Sequence, residues 1–221
     1  MNWIFSERNK LIAQKQVTGS ENFLSDKYEL VSRSEYRAYR LELDIVPGMV
    51  VADLACGLGR VAVYIANVFR RLGVDMPHFI LTDSDTEQDG KLHYGYSGQA
   101  EFYNSFAATR EFMFNNGVPE SKFELFDVLK RDYAEIAGKP DVIISMLGLG
   151  FHIPISRCIE QIHSICKEST VVILGGPCME DDADWFDKNS YPHLFKSQKC
   201  IPFTCDHRSH EGQVMVLRGA K

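Results

Sequence analysis

The chain has 221 residues, enough for one well-packed domain and too few for two of ordinary size. Hydrophobic residues make up 45% and charged residues 24%, the balance of a soluble globular protein rather than of a disordered or membrane-embedded one. The net charge is -6 and basic residues come only as scattered pairs such as Arg70–Arg71 and Lys130–Arg131, so a phosphate-gripping surface for nucleic acid or an anionic membrane is not expected.

The first ten residues, MNWIFSERNK, bring charge early, and no apolar run of signal-peptide or membrane-span length follows. A cytoplasmic protein is therefore expected. Its six cysteines (Cys56, Cys158, Cys166, Cys178, Cys200 and Cys205) are then read as reduced thiols. Residues 1–46 are polar with scattered aromatics and read as a helical segment, followed by one domain over 47–221. Within that segment, helical spacing over Ser34–Leu43 places Tyr36, Tyr39, Arg40 and Leu43 on one face. Pro47-Gly48 ends the pattern.

From Met49 the rhythm is strand, helix, strand. MVVADL (49–54) reads as a strand, and Arg60–Leu72 as an amphipathic helix stopped by Gly73. HFILTD (78–83) is a second strand, followed by a Gly- and Tyr-rich loop and a helix over about 99–116. KFELFDV (122–128) is a third strand, with a short helix near 130–137. DVIISML (141–147) is a fourth, followed by a helix after Pro154, and STVVILG (169–175) a fifth. The acids of 180–188 suit the positive end of a helix. FKSQKCIPF (195–203) and QVMVLRG (213–219) are strands too close in sequence for a helical crossover, so they predict an antiparallel hairpin. Alternation of strand and helix predicts an α/β protein with a parallel sheet covered on both faces.

The chemistry gathers at the strand ends. VADLACGLGR (51–60) ends a strand in Asp53 and turns through Ala55, Gly57 and Gly59 into a helix. Glycine lets the backbone turn sharply and approach a ligand, and the helix start offers free N–H groups. The same letters fit a nicotinamide fingerprint, Gly57-Leu-Gly59-Arg-Val-Ala62. Asp53 argues against that reading, because a bound pyrophosphate beside it would be repelled. Asp83 ends the second strand 24 residues after Gly59, where an acid can accept both hydroxyls of a ribose; Ser84 follows it. Asp127, next to Val128, ends the third strand. All three acids should lie at the carboxyl edge of the sheet, where open α/β folds bind ligands.

The segment Val51–Arg60 resembles the first motif of the class I S-adenosylmethionine-dependent methyltransferases, with Ala55 standing where that family usually has its first glycine. The resemblance covers residues 48–219. It implies a Rossmann-like methyltransferase fold: a seven-stranded, mostly parallel sheet with a C-terminal antiparallel hairpin and N-terminal helices. It implies S-adenosyl-L-methionine as cofactor, bound by Asp53, Ala55, Gly57, Gly59, Asp83, Ser84, Asp127, Val128 and Ser145. GFHIP (150–154), FYNSF (102–106) and the Asn116-Gly117 stop are similar to a bacterial subset described as sugar O-methyltransferases, which implies a sugar hydroxyl as acceptor.

His152, in the loop after the fourth strand, is the candidate general base, because imidazole titrates near neutral pH. Tyr36, Arg40, Tyr96, Tyr103 and Asn104 are polar-aromatic and are candidates for holding a small polar acceptor, with the N-terminal helices as a lid. Cys200, Cys205, His207 and His210 are zinc ligand types within eleven residues, but C-x4-C-x-H-x2-H matches no familiar framework, so no metal is expected. Two other functions stay open: an NAD-dependent oxidoreductase, and a non-catalytic protein that binds S-adenosylmethionine. The sequence does not set the oligomeric state.

Overall fold

A computed structural model of the chain describes residues 1–17, 24–44, 46–85, 105–146, 148–149, 155–177, 190–204 and 211–221. Two helices come first, α1 (Glu7–Val17) and α2 (Leu24–Tyr39). Then follow β1 (Val50–Leu54), α3 (Arg60–Leu72), β2 (His78–Asp83), α4 (Phe106–Asn115), β3 (Phe123–Asp127) and β4 (Val142–Met146). The chain continues through α5 (Ile155–Ile165), β5 (Val171–Pro177), β6 (Phe195–Thr204) and β7 (Glu211–Ala220). One short 3-10 turn, Tyr133–Ile136, stands where a short helix is predicted, and a capping box from Asp132 and Glu135 starts it.

The strands form one seven-stranded sheet in the order β3-β2-β1-β4-β5-β7-β6. β1 to β5 run parallel, and β7 and β6 return antiparallel, as the short spacing between them requires. β1 has β2 on one side and β4 on the other, so the winding reverses there and leaves a crevice at the carboxyl edge. Successive residues of the central strands serve two cores. Val51, Phe79, Leu81, Val142 and Ile144 face α3 and α4, while Ala52, Ile80, Ile143 and Val172 face α5.

The first core also takes in the N-terminal segment. Trp3 stacks on Phe112 of α4 at 5.8 Å between ring centroids, and Phe5 and Tyr28 close round the same ring at 5.5 and 6.0 Å. α2 buries Leu24, Tyr28, Val31, Ser32, Ser34, Glu35 and Tyr39, a helical stripe joined by two serines and one acid. Past its end, Glu42 takes Lys199 Nζ at 2.5 Å and Arg218 Nη2 at 3.1 Å, which ties the segment to the β6–β7 hairpin.

The predicted elements differ from the structure in two places. The face shared by Tyr36, Tyr39, Arg40 and Leu43 is not kept, because α2 ends at Tyr39 and tightens into a 3-10 turn: Tyr39 is buried and Arg40 is exposed. The helix expected from residue 99 has its described start at Phe106, where the Ser105 hydroxyl accepts the Ala108 N–H. Residues 99–104 and the acidic segment 180–188 lie outside the described residues. Among the described residues, no helix is long and apolar enough to cross a membrane. Phe112→Ala removes the ring on which Trp3, Phe5 and Tyr28 converge, and is expected to lower the unfolding free energy by about 3–5 kcal/mol in chemical denaturation.

Candidate functional site at the carboxyl edge

The turn between β1 and α3 is left-handed at three residues, Ala55 (φ 55°), Gly57 (φ 54°) and Gly59 (φ 79°). Glycine adopts this region freely, whereas alanine is strained there by about 1–2 kcal/mol. Ala55 thus holds a backbone conformation that suits glycine, at a cost in strain. Its methyl also fixes a neighbour, since a Cβ on Gly148 would fall 2.6 Å from the Ala55 Cβ. Gly59 is needed twice over, for its φ and because a Cβ there would meet Met113 Sδ of α4 at 2.8 Å.

Hydrogen bonds from three elements hold the turn in place. The Cys56 N–H donates to the Thr82 carbonyl at 3.0 Å, and the Gly57 N–H to Asp83 Oδ2 at 2.8 Å. From α4 the Thr109 hydroxyl donates to the Gly57 carbonyl at 2.8 Å. β2 and α4 therefore shape the turn before any ligand arrives.

The three predicted acids stand at adjacent strand ends, Asp83 and Asp127 directly across from each other in the β2–β3 register. Their electrostatic states differ. Asp53 is 2% exposed and its Oδ2 has no hydrogen-bond partner. Burial raises its carboxyl from 3.8 to about 7, against the pull of Arg60 and of the Ala62 N–H. Asp83 is raised by burial to about 6, opposed by the N–H groups of Gly57 and Ser84 that it accepts. Those bonds occupy one site on each oxygen and leave further lone pairs for a ligand. Burial also works to raise Asp127, but hydrogen bonds from Lys130 and the Leu129 N–H win and hold it below its ordinary value.

A fourth charge cluster is invisible to the motif. Arg60, the first residue of α3, is 5% exposed and meets Glu35 of α2 in a two-pronged pair, Nη1 to Oε2 at 2.8 Å and Nη2 to Oε1 at 2.9 Å. The Ser32 hydroxyl accepts a further bond from Arg60 Nη1 at 3.1 Å. Burial alone would lower the guanidinium, and the adjacent Glu35 reverses this and holds it above its ordinary value. One signal in the sequence could have found the pair: Glu35 lies on the same helical stripe as Tyr28, Val31 and Tyr39, and a charge on an apolar face calls for a buried partner.

The other predicted residues separate into groups. Ser84 is buried with its N–H on Asp83 Oδ1, and the Val128 N–H donates to the Asp83 carbonyl at 2.9 Å. The buried Ser145 closes the turn after β4 by accepting the Leu149 N–H at 3.1 Å. Tyr36 and Arg40 are not brought together with the three acids. The Tyr36 ring packs on Tyr39 and on Tyr64 of α3, and Arg40 is exposed beyond the helix end. Tyr96, Tyr103, Asn104 and His152 lie outside the described residues, as do Cys205, His207 and His210. Cys200 is exposed on β6, and among the described residues no group of three His, Cys, Asp or Glu side chains could hold a metal ion.

No protein-family model matches the sequence, and no curated protein matches it either. Solved structures do match in fold. An S-adenosyl-L-methionine-dependent methyltransferase by assignment, from Methanococcus maripaludis, covers 100% of this chain and 98% of its own at 12% identity and a TM-score of 0.52. MtNAS in complex with S-adenosylmethionine covers 96% of this chain and 72% of its own, at 11% identity and a TM-score of 0.57. A probable spermidine synthase from Corynebacterium glutamicum matches 87% of this chain at 13% identity and a TM-score of 0.56, and this chain spans 63% of its length. The fold is the Rossmann-like methyltransferase fold, with its parallel strands and closing antiparallel hairpin.

Two outcomes follow from the geometry. Ala55→Gly is expected to leave stability unchanged or raise it by up to about 1 kcal/mol, whereas Gly59→Ala is expected to cost more than about 1 kcal/mol through its φ and the Met113 contact; thermal denaturation reads both. The raised carboxyls of Asp53 and Asp83 hold protons in the folded chain that the unfolded chain has lost, so their contribution is full below the ordinary value of 3.8 and is lost as pH rises from there through about 6 and about 7. The melting temperature of the ligand-free chain is therefore expected to fall across that window, and to fall less in Asp53→Asn.

Proposed function

We propose that the chain transfers a methyl group from S-adenosyl-L-methionine to a small polar acceptor. The observation that carries this reading is the buried, unpartnered Oδ2 of Asp53 beside a left-handed turn that opens a helix. A lone carboxylate oxygen in that position suits a cationic group and repels a diphosphate, which favours an ammonium-bearing adenosyl ligand over a dinucleotide.

S-adenosyl-L-methionine, when bound, supplies a methyl group already activated by its sulfonium. The residues of the chain bind and orient it. Asp53 takes the amino end, directly or through water. The turn through Ala55, Gly57 and Gly59 lets the backbone come close. Asp83, with free lone pairs, accepts the ribose hydroxyls, Ser84 and Ser145 shape the adjoining turns, and Asp127 and Val128 border the adenine. Most of the rate then comes from orientation of the acceptor against the methyl.

For the acceptor we favour a hydroxyl, as on a sugar, deprotonated by His152. Support comes from the GFHIP sequence and from its place directly after β4. Tyr96, Tyr103 and Asn104 are the candidate acceptor contacts, and residues 1–46 the covering segment. The fold by itself does not choose the group transferred, since a spermidine synthase shares it.

Calorimetric titration with S-adenosylmethionine, S-adenosylhomocysteine and NAD in parallel tests the cofactor. Micromolar binding of the adenosyl ligands is expected, weakened at least about tenfold in Asp53→Asn, a loss of one charge-assisted bond. Binding of NAD alone would make the chain a dehydrogenase. With an acceptor in hand, His152→Ala is expected to lower kcat by about 10²–10⁴-fold and leave cofactor affinity unchanged. Cofactor binding without turnover of any acceptor would instead mark a non-catalytic binding protein.

A further inference from the structure

The Glu35–Arg60 pair has no role in the motif, yet it sits where α2 meets the first turn of α3, immediately after the cofactor turn. A cationic side chain at a helix N-terminus opposes the helix dipole, so Arg60 is poorly placed unless an acid compensates it. Glu35 does so from another element, with both partners buried. Among the described residues, the titratable and charged groups that act electrostatically on Asp53 come from four places, gathered where the buried pair joins α2 to the first residue of α3. Arg60 lies on α3, Glu35 and the Tyr39 hydroxyl on α2, Asp83 on β2, and the Cys56 thiol in the turn itself. Arg60 is the one cation in that set and has the larger influence on Asp53, and Glu35 works against it.

We propose that Glu35 and Arg60 are positioning residues for Asp53: the pair fixes α2 against the start of α3 and sets the charge that Asp53 presents to a cationic ligand. This rests on the methyl-donor reading of the turn. Asp53 holds a proton on the acid side of neutrality, and to receive an ammonium it must release that proton to solvent. Cofactor binding is then linked to the loss of one proton. The N-terminal segment, through Glu35, decides over which pH range that loss costs affinity.

Substitution separates charge from mere packing. Glu35→Gln removes an anion and leaves Arg60 facing Asp53, so Asp53 ionises more readily and the pH midpoint of S-adenosylmethionine binding moves down. The double variant Glu35→Gln/Arg60→Gln removes both charges. Because Arg60 is the stronger influence, the midpoint moves up. The neutral pair also avoids leaving a buried guanidinium unpaired, so it carries the test if the single variant does not fold.

The experiment is calorimetric titration of the full chain with S-adenosylmethionine from about pH 5.5 to 8, with the carboxyl carbon resonance of Asp53 followed in the ligand-free protein. The wild-type chain is expected to gain up to about tenfold in affinity per pH unit below the midpoint, with release of one proton, and to level off above it. At pH 6 Glu35→Gln is expected to bind at least about threefold more tightly than wild type, and the double variant at least about threefold less tightly. The Asp53 resonance is expected to titrate lower in the first and higher in the second. Midpoints that stay fixed, or move the same way in both variants, overturn the proposal and reduce the pair to a packing contact. Opposed shifts of the Asp53 resonance in a chain that binds no S-adenosylmethionine overturn the donor reading and leave the electrostatic role of the pair standing.

Discussion

Between Leu54 and Arg60 the chain must leave a buried strand and enter a buried helix within five residues, and the backbone manages it only by passing three times through positive φ. Much else in the structure answers to that passage. β2 supplies the Thr82 carbonyl and the Asp83 carboxylate to the N–H groups of the turn, α4 supplies the Thr109 hydroxyl to its carbonyl, and Gly148 is bare where the Ala55 methyl lies. The turn is thus held in shape by β2 and α4, not a loop that a ligand would have to order.

Charge is distributed round this turn in a way that a fold alone does not require. Burying a carboxylate without a partner is costly, and a structure built only for stability would replace Asp53 or pair it. The chain does pair its other buried charges: Arg60 with Glu35, and Asp83 with two backbone N–H groups. Asp53 is left with one unsatisfied oxygen. A buried carboxylate oxygen left unpartnered beside a glycine-rich turn is the feature on which the proposed ligand reading rests.

The fold was legible because its signals are local and repetitive. Apolar runs bounded by Pro, Gly and acids marked all the parallel strands, and the short spacing before QVMVLRG dictated the hairpin. The placement of the three acids and the turn was legible for a related reason, since strand-ending acids and glycines lie at fixed places in an alternating α/β chain. What escaped were interactions made across sequence distance. The Arg60–Glu35 pair spans 25 residues, and Thr109 reaches Gly57 across 52. Arg60 read only as the first residue of an amphipathic helix, because its buried partners lie in another element. Helical spacing extended α2 by a turn it does not have, and so gave Tyr36 and Arg40 a shared helical face.

The central claim is that the β1–α3 turn, with Asp53 and Asp83, receives the amino and ribose ends of S-adenosylmethionine. An experimental structure of the chain grown with that compound tests it most directly. The account predicts the ligand's ammonium within hydrogen-bonding reach of Asp53 Oδ2, directly or through one water, and both ribose hydroxyls on Asp83. A ligand seated elsewhere, with Asp53 Oδ2 still unpartnered, would contradict it.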